Sequence, residues 1–293
     1  MLSPEIIKKI KRIQLNAAHL VTDALAGNYT SAFKGQGMEF DNVREYFPGD
    51  DVRGIDWNVT ARMNEPYIKV LREEREMSLM IMVDVSASQW IGTTTETKQE
   101  AAAELAAILA YLATKNKDKV GLVVFSDHVE HYIPPAKGRA HIWGIIRAVL
   151  THESKGQATN IGEALDFLNS VTKRQNVCFV ISDFWADDYE RSLKLVARRH
   201  DMTCVRVHDP IEKRFENAGI VGFQDAETGE ALFLDTSSLK VRNAYAHEEE
   251  QRDQDLQTLF RKNNIKTFAI STKESVVAPL VAYMKNRKRR RVR

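Results

Sequence analysis

The stretch SLMIMVDVSASQW, residues 78–90, decides the fold. Its apolar run does not alternate with polar residues, so it reads as a strand buried on both faces rather than one face-up on solvent. The run stops at Asp84, and Ser86 and Ser88 follow at spacings of two. Four further runs share its character: KVGLVVFS (119–126), NVCFVISD (176–183), MTCVRVHD (202–209) and IKTFAIS (265–271). The segments between them carry helical periodicity, at 98–115, 139–151, 161–172 and 188–200. The first of these opens with Thr97 and Glu100 at capping-box spacing. Alternating buried strands and helices predict an α/β fold with a doubly wound, mostly parallel sheet covered on both sides.

Outward from that core, the pattern changes twice. Residues 29–76 hold turn signals and short mixed runs, with YIKVLREE (67–74) as their clearest strand. With the amphipathic helix that starts after Ser3-Pro4, they predict an N-terminal helix plus a β-rich appendage over 1–76. The main domain then spans 77–284, with a hairpin insertion at 219–235 turning near Thr228-Gly229, and a long polar helix over 238–263. Residues 285–293, KNRKRRRVR, form a basic tail.

Composition narrows the function classes. The chain has 293 residues, 43% hydrophobic and 28% charged, too apolar for intrinsic disorder and long enough for a large core. No run approaches the ~18 apolar residues of a membrane span. Cys178 and Cys204 each sit inside an apolar run, so they read as buried thiols in a reducing, cytoplasmic setting. Removing the seven Lys and Arg of the tail takes the net charge from +2 to −5, leaving a mildly acidic body with a basic arm. That arm lacks the interleaved aromatics that stack bases, which argues against nucleic acid as the main partner.

Sites on doubly wound sheets gather at the carboxyl ends of strands, near the switch in strand order. Asp84 and Asp183 end two such strands, and Thr159 lies in GQATNIGEAL (156–165) just before a helix. A fully extended chain would separate Asp84 from Ser88 by roughly 13 Å, too far for two ligands at about 2.1 Å from one Mg²⁺. A metal site therefore requires the chain to curl immediately after Asp84, which Ser-Ala-Ser permits. Hydroxyls and carboxylates are hard donors, favouring Mg²⁺, with Mn²⁺ or Ca²⁺ as alternatives, over Zn²⁺.

The order Asp84-x-Ser86-x-Ser88, then Thr159, then Asp183, resembles the metal-ion-dependent adhesion site of von Willebrand factor A domains. The resemblance implies that the two serines and Thr159 contact the ion, that Asp84 and Asp183 act directly or through water, and that a partner's carboxylate completes the shell. Gln89 after the second serine, and Phe184-Trp185 where many members of that family have glycine, depart from its pattern.

A second resemblance is carried by VREYFPGDDVRGIDWNVTAR (43–62), with Arg44, Glu45, Tyr46, Pro48, Gly49, Asp50, Arg53, Asp56, Trp57, Ala61 and Arg62 as its matching residues. DPIEKRF (209–215) and DAETGEALFLDT (225–236) match further on. Together they are similar to the bacterial family called domain of unknown function fifty-eight. That resemblance implies a von Willebrand factor A-like protein acting with a MoxR-type AAA+ ATPase or its client. Read from its own residues, the stretch is an ion-pair cluster beside Tyr46 and Trp57, structural or partner-docking.

The chain holds no G-x-x-x-x-G-K-[ST], and no G-x-S-x-G surrounds Ser86 or Ser88. His128 and His131, three apart in SDHVEHYIPP (126–135), read as a loop pair, and without HExxH or CxxC zinc has no support. The sequence thus predicts a non-enzymatic interaction module whose metal residues are Asp84, Ser86, Ser88, Thr159 and Asp183. A metal-assisted hydrolase, or nucleic-acid binding through the tail, is the alternative.

Overall fold

The computed structural model describes residues 4–21, 23–33, 38–73, 77–90, 92, 96–152, 154, 156, 158–224 and 231–291. In chain order the elements are α1 (Pro4–Leu20), α2 (Asp23–Phe33), β1 (Met38–Glu45), α3 (Trp57–Met63), β2 (Tyr67–Glu73), β3 (Ser78–Asp84), α4 (Lys98–Lys115), β4 (Lys119–Phe125), β5 (Val129–Ala136) and α5 (Arg139–Thr151). There follow α6 (Ile161–Val171), β6 (Val177–Ser182), α7 (Glu190–Arg199), β7 (Asp201–His208), α8 (Pro210–Lys213), β8 (Ile220–Gln224), β9 (Ala231–Asp235), α9 (Leu239–Lys262), β10 (Lys266–Ser271) and α10 (Val277–Arg291).

Six strands form the main sheet in the order β10-β7-β6-β3-β4-β5, all parallel except β5, which runs antiparallel to β4. The sheet is therefore doubly wound, with β3 at its centre and the chain adding strands first on one side and then on the other. From Leu79 to Asp84 every residue of β3 is buried, because both faces are covered. Met80 and Met82 join Val123, Phe125, Leu165, Leu168 and Val180 in the core beneath α6 and α7. The alternate residues Leu79, Ile81 and Val83 must point to the opposite face, where the alanine-rich α4 packs on β3 and β4. Small side chains around most of α4 let it sit inside the protein between the sheet, α1 and α5.

The expected strands and helices of this core are all present, within two residues at each end. Thr97 caps α4, its hydroxyl accepting from the Glu100 amide at 3.2 Å. Two of the elements that the sequence hides have a clear physical cause. The edge strand β5 is half-buried and carries Pro134 and Pro135, which demote a run as a strand but are tolerated at an edge. The short α2 contains Gly27, a weak helix former. The hairpin is β8 and β9, antiparallel with Ile220 opposite Asp235; its turn near Thr228-Gly229 lies outside the described residues.

The contacts divide the chain differently from the sequence-based boundary at 76. One unit comprises residues 1–32 and 78–293, and the second is Phe33–Met77. The N-terminal helices belong to the main body because α1 buries Ile10, Ile13 and Ala17 and packs on α4 and α5. The end of the chain is also corrected. Residues 285–291 continue α10 rather than forming a separate tail. Arg287 is buried, pairs with Asp201, and donates to the Ala32 carbonyl at 2.6 Å. A charge run is solvated only where a helix face leaves it so.

The smaller unit is the β1–β2 ribbon with the 43–62 stretch folded over its end. Asp51 and Asp56 each cap a helical turn, Asp56 accepting from the Asn58 and Val59 amides. Arg44 grips Asp50 with two bonds of 2.7 Å, and Asp50 also accepts the Phe47 amide at 3.0 Å. That grip holds the Asp50 carboxyl at about 2. Around these pairs Phe47, Val52, Trp57 and Met63 are exposed.

Candidate functional site

The centre of the sheet's carboxyl edge is where strand order switches, with β4 and then β6 flanking β3. Asp84 closes β3, and Ser182 closes β6 immediately before Asp183. The chain curls directly after Asp84. The Ser86 amide donates back to Asp84 Oδ1 at 2.9 Å, and Ala87–Trp90 form a 3-10 turn. The curl brings Ser86 Oγ to 3.2 Å from Ser88 Oγ, and Ser88 Oγ donates to Asp183 Oδ2 at 2.9 Å. Asp84, Ser86, Ser88 and Asp183 thus meet in one hydrogen-bonded chain. Thr159 is carried to the same edge by its loop, since the Asn160 amide donates to the Ser126 carbonyl at 2.7 Å, just beyond β4. Asn160 then caps α6 through its side chain.

Electrostatics mark the place. Asp84 is fully buried, and burial together with the nearby Asp183 raises its carboxyl to about 7, against hydrogen bonds from Ser182 and Ser86 that pull it down. Ser182 Oγ donates to Asp84 Oδ2 at 2.6 Å and in turn accepts the Phe184 amide at 2.9 Å. Two buried carboxylates side by side are costly unless a cation or proton offsets them.

Three residues that the motif reading missed complete the neighbourhood. Lys98, in the first turn of α4, reaches Asp183 Oδ2 at 2.7 Å and Glu212 Oε1 at 2.5 Å while almost wholly buried. Burial alone would lower its ammonium, but Asp183 and Glu212 outweigh that and raise it, so it is charged. Glu212 is set by α8, whose capping box joins it to Asp209; the D-P-x-E spacing of 209–212 was the available signal. Arg252 of α9 lies over the Trp185 ring, 3.3 Å from its centroid.

The two departures from the adhesion-site pattern acquire definite geometry. Phe184 has φ +59, a left-handed conformation that is rare for a bulky residue. It is held there by packing on Tyr189 and, edge to face at 5.2 Å, on Phe260. Gln89 is buried, donates from Nε2 to Ser88 Oγ at 3.3 Å, and leaves its Oε1 without a hydrogen-bond partner. Ser88 has committed its proton to Asp183, so the amide orientation follows from the chain of bonds.

Among the described residues no group of three or more His, Cys, Asp or Glu is poised as a metal cluster. A hydroxyl-based set is a different case. Asp84, Ser86, Ser88 and Asp183 supply only hard oxygens, and the orphaned Gln89 oxygen lies beside them, a donor set of the kind that suits a small divalent cation. His128 pairs with the neighbouring Asp127, and His131 belongs to the exposed side of β5. Cys178 and Cys204 are free and buried, their thiols raised by that burial.

Proteins of Mycobacterium bovis and Mycobacterium tuberculosis, named only as uncharacterised, are each 26% identical over 289 residues, 98% of this chain and 91% of theirs. Similar solved structures include the conserved hypothetical protein BatB from Bacteroides thetaiotaomicron, 16% identical, with a TM-score of 0.48 over 73% of this chain and 99% of that one. They also include the VWA domain of SpRpn10, 10% identical, with a TM-score of 0.42 over 70% and 94%. Residues 42–255 match the family described as Protein of unknown function DUF58, and the chain belongs to that family.

Proposed function

We propose that the protein is a non-enzymatic interaction module that binds an acidic group of a partner protein through Mg²⁺ at the carboxyl edge of β3 and β6. Asp84, Ser86, Ser88, Thr159 and Asp183 would hold the ion. The observation that carries this reading is the curl after Asp84, which links both serines to Asp183 across two strands. Only two of these donors are carboxylates, so the ion would retain positive character and accept one more from outside. Trp90 and Trp185, both exposed, border the edge as apolar contact area for a partner. The partner we infer is a MoxR-type AAA+ ATPase, or its client, in assembly, maturation or a stress response; the ATPase supplies the energy and this chain the recognition. No described helix is long and apolar enough to cross a membrane, and the two buried free thiols suit a reducing cytoplasm.

Calorimetric titration of Mg²⁺ into the protein and into Ser86→Ala tests the ion. Binding that is weakened by the substitution is expected; equal binding, or none to either, overturns the metal bridge. Capture of a purified MoxR-type ATPase with Mg²⁺ but not with chelator tests the partner. The raised Asp84 carboxyl suggests a second reading, metal-assisted hydrolysis, because a base near 7 suits proton transfer. Both Asp84 oxygens are already hydrogen-bonded and buried, which disfavours it. Turnover of phosphoesters that disappears in Asp183→Ala would restore it.

A further inference from the structure

Lys98 stands at the wrong end of its helix. Cations are disfavoured at a helix N-terminus, where the backbone dipole is positive, and an ammonium is rarely buried without partners. Yet Lys98 is in the first turn of α4 and almost fully buried. Its position makes sense only with the carboxylates it meets: Asp183, just past the end of β6, and Glu212, in α8 after β7. Asp183 Oδ2 receives Lys98 and Ser88 together, while Asp183 Oδ1 accepts the Trp185 amide at 3.1 Å. Any cation that uses Asp183 must therefore contend with a cation already in contact with it.

We propose that Lys98 is the resident counter-ion of this edge, that it competes with divalent cations for Asp183, and that it sets how weakly the site holds them. The proposal rests on the reading of the edge as a cation site. Three carboxylates gather here, Asp84, Asp183 and Glu212, against one ammonium. With Lys98 in place the cluster is partly neutralised and its pull on an external ion is reduced. With Lys98 neutral the ammonium in direct contact with Asp183 is gone and Arg252 is the cation that still acts on that carboxylate, so an ion is no longer brought within a few ångströms of a like charge on Lys98. Glu212 offers the ammonium a second seat when an ion takes Asp183, so displacement needs only a small shift towards α8. Glu212 Oε2 is meanwhile fixed by the Asp209 amide at 3.0 Å, which keeps that seat in position.

The test is calorimetric titration of Mg²⁺ and Mn²⁺ into the full chain, into Lys98→Met, and into Lys98→Gln, with folding checked by circular dichroism. Lys98→Gln keeps a polar group that can donate to one carboxylate, so it serves if Lys98→Met does not fold. Lys194→Met, which removes a surface charge paired with Glu190, controls for net charge. Both Lys98 variants should bind at least about tenfold more tightly than wild type, and the control should not differ from it. Wild type that binds, with Lys98 variants no tighter, overturns the counter-ion and leaves the metal reading standing. Wild type that binds nothing, with variants that do bind, supports the counter-ion and removes the Mg²⁺ bridge from the native protein. Absence of binding in every form overturns both.

Discussion

The sheet edge and the 43–62 stretch are built from the same residue types, aspartates, basic side chains and aromatics, set in opposite surroundings. At the edge, Asp84, Asp183 and Lys98 are buried, Asp183 Oδ2 accepts from both Ser88 and Lys98, and Lys98 also donates to Glu212. In the 43–62 stretch, Arg44 and Asp50 form a well-aligned pair in water, with Phe47 and Trp57 exposed beside them. Geometry is good in both, so geometry alone does not rank them. Solvent does: a buried charge that loses its partner stays buried, whereas an exposed one is rehydrated. The buried cluster should therefore dominate stability and ion binding, and the exposed stretch should matter for what touches it.

The largest expected effect follows from removing the buried ammonium. Lys98→Met, measured by urea unfolding in chelator, should lose about 3–5 kcal/mol, the range for breaking one member of a buried ion pair. Added Mg²⁺ should recover part of that loss through linkage, since an ion bound only to the folded form stabilises it. A loss under about 1 kcal/mol would place Lys98 with the surface pairs and erase the contrast between the regions.

Phe184 sharpens the contrast from the backbone side. Its left-handed φ is held by contacts with Tyr189 and Phe260. Phe184→Ala should cost about 3–4 kcal/mol through lost packing. Phe184→Gly removes one more carbon, yet should be milder than Phe184→Ala by at least about 0.5 kcal/mol, because glycine adopts positive φ without the Cβ clash. The usual order, alanine better than glycine, would show that the backbone there is unstrained.

Much of this could be read in advance, and the part that could not has a physical cause. The strands of the main sheet announce themselves because burial on both faces removes the polar half of the pattern, as in Leu79–Val83. Asp84, Ser86, Ser88 and Asp183 were legible because a motif with fixed spacing sits at predicted strand ends. Lys98 and Glu212 were not, since nothing in a one-dimensional sequence marks a lysine in a first helical turn as buried between two distant carboxylates. The helical Arg287 was misplaced for the same reason: a basic run looks solvated until Asp201 supplies its partner. The edge strand β5 was hidden by prolines whose tolerance depends on being at an edge.

A pH series probes the buried carboxyl next. Asp84 titrates near 7 when folded, against 3.8 ordinarily, so the folded state keeps its proton where the unfolded state has lost it. Its contribution is fully present below about pH 4, and is lost as pH rises through about 7. His200 and His208, each held near 4 chiefly by burial, act with the opposite sign, since they resist protonation in the fold and weaken it on the acid side. The expected signature is thus a difference: in chelator, Asp84→Asn should decline less than wild type between pH 4 and 7 in its urea midpoint. Mg²⁺ should narrow the gap by favouring the ionised carboxylate. Parallel curves would mean that Asp84 is ionised throughout.

The smallest effect belongs to the exposed stretch. Arg44→Ala breaks two 2.7 Å bonds to Asp50, as many as Lys98 makes at the sheet edge. Both partners remain open to water, however, so the thermal midpoint should stay within about 2 °C of wild type. Raising salt to 1 M should shrink even that difference, because the Debye length falls to about 3 Å. Trp57→Ala, at a side chain left 69% exposed, should be equally quiet in thermal unfolding. If either substitution instead destabilised the protein as strongly as Lys98→Met, the stretch would be holding structure together. If both are quiet and yet abolish capture of the ATPase, its exposed aromatics and paired charges are a docking face.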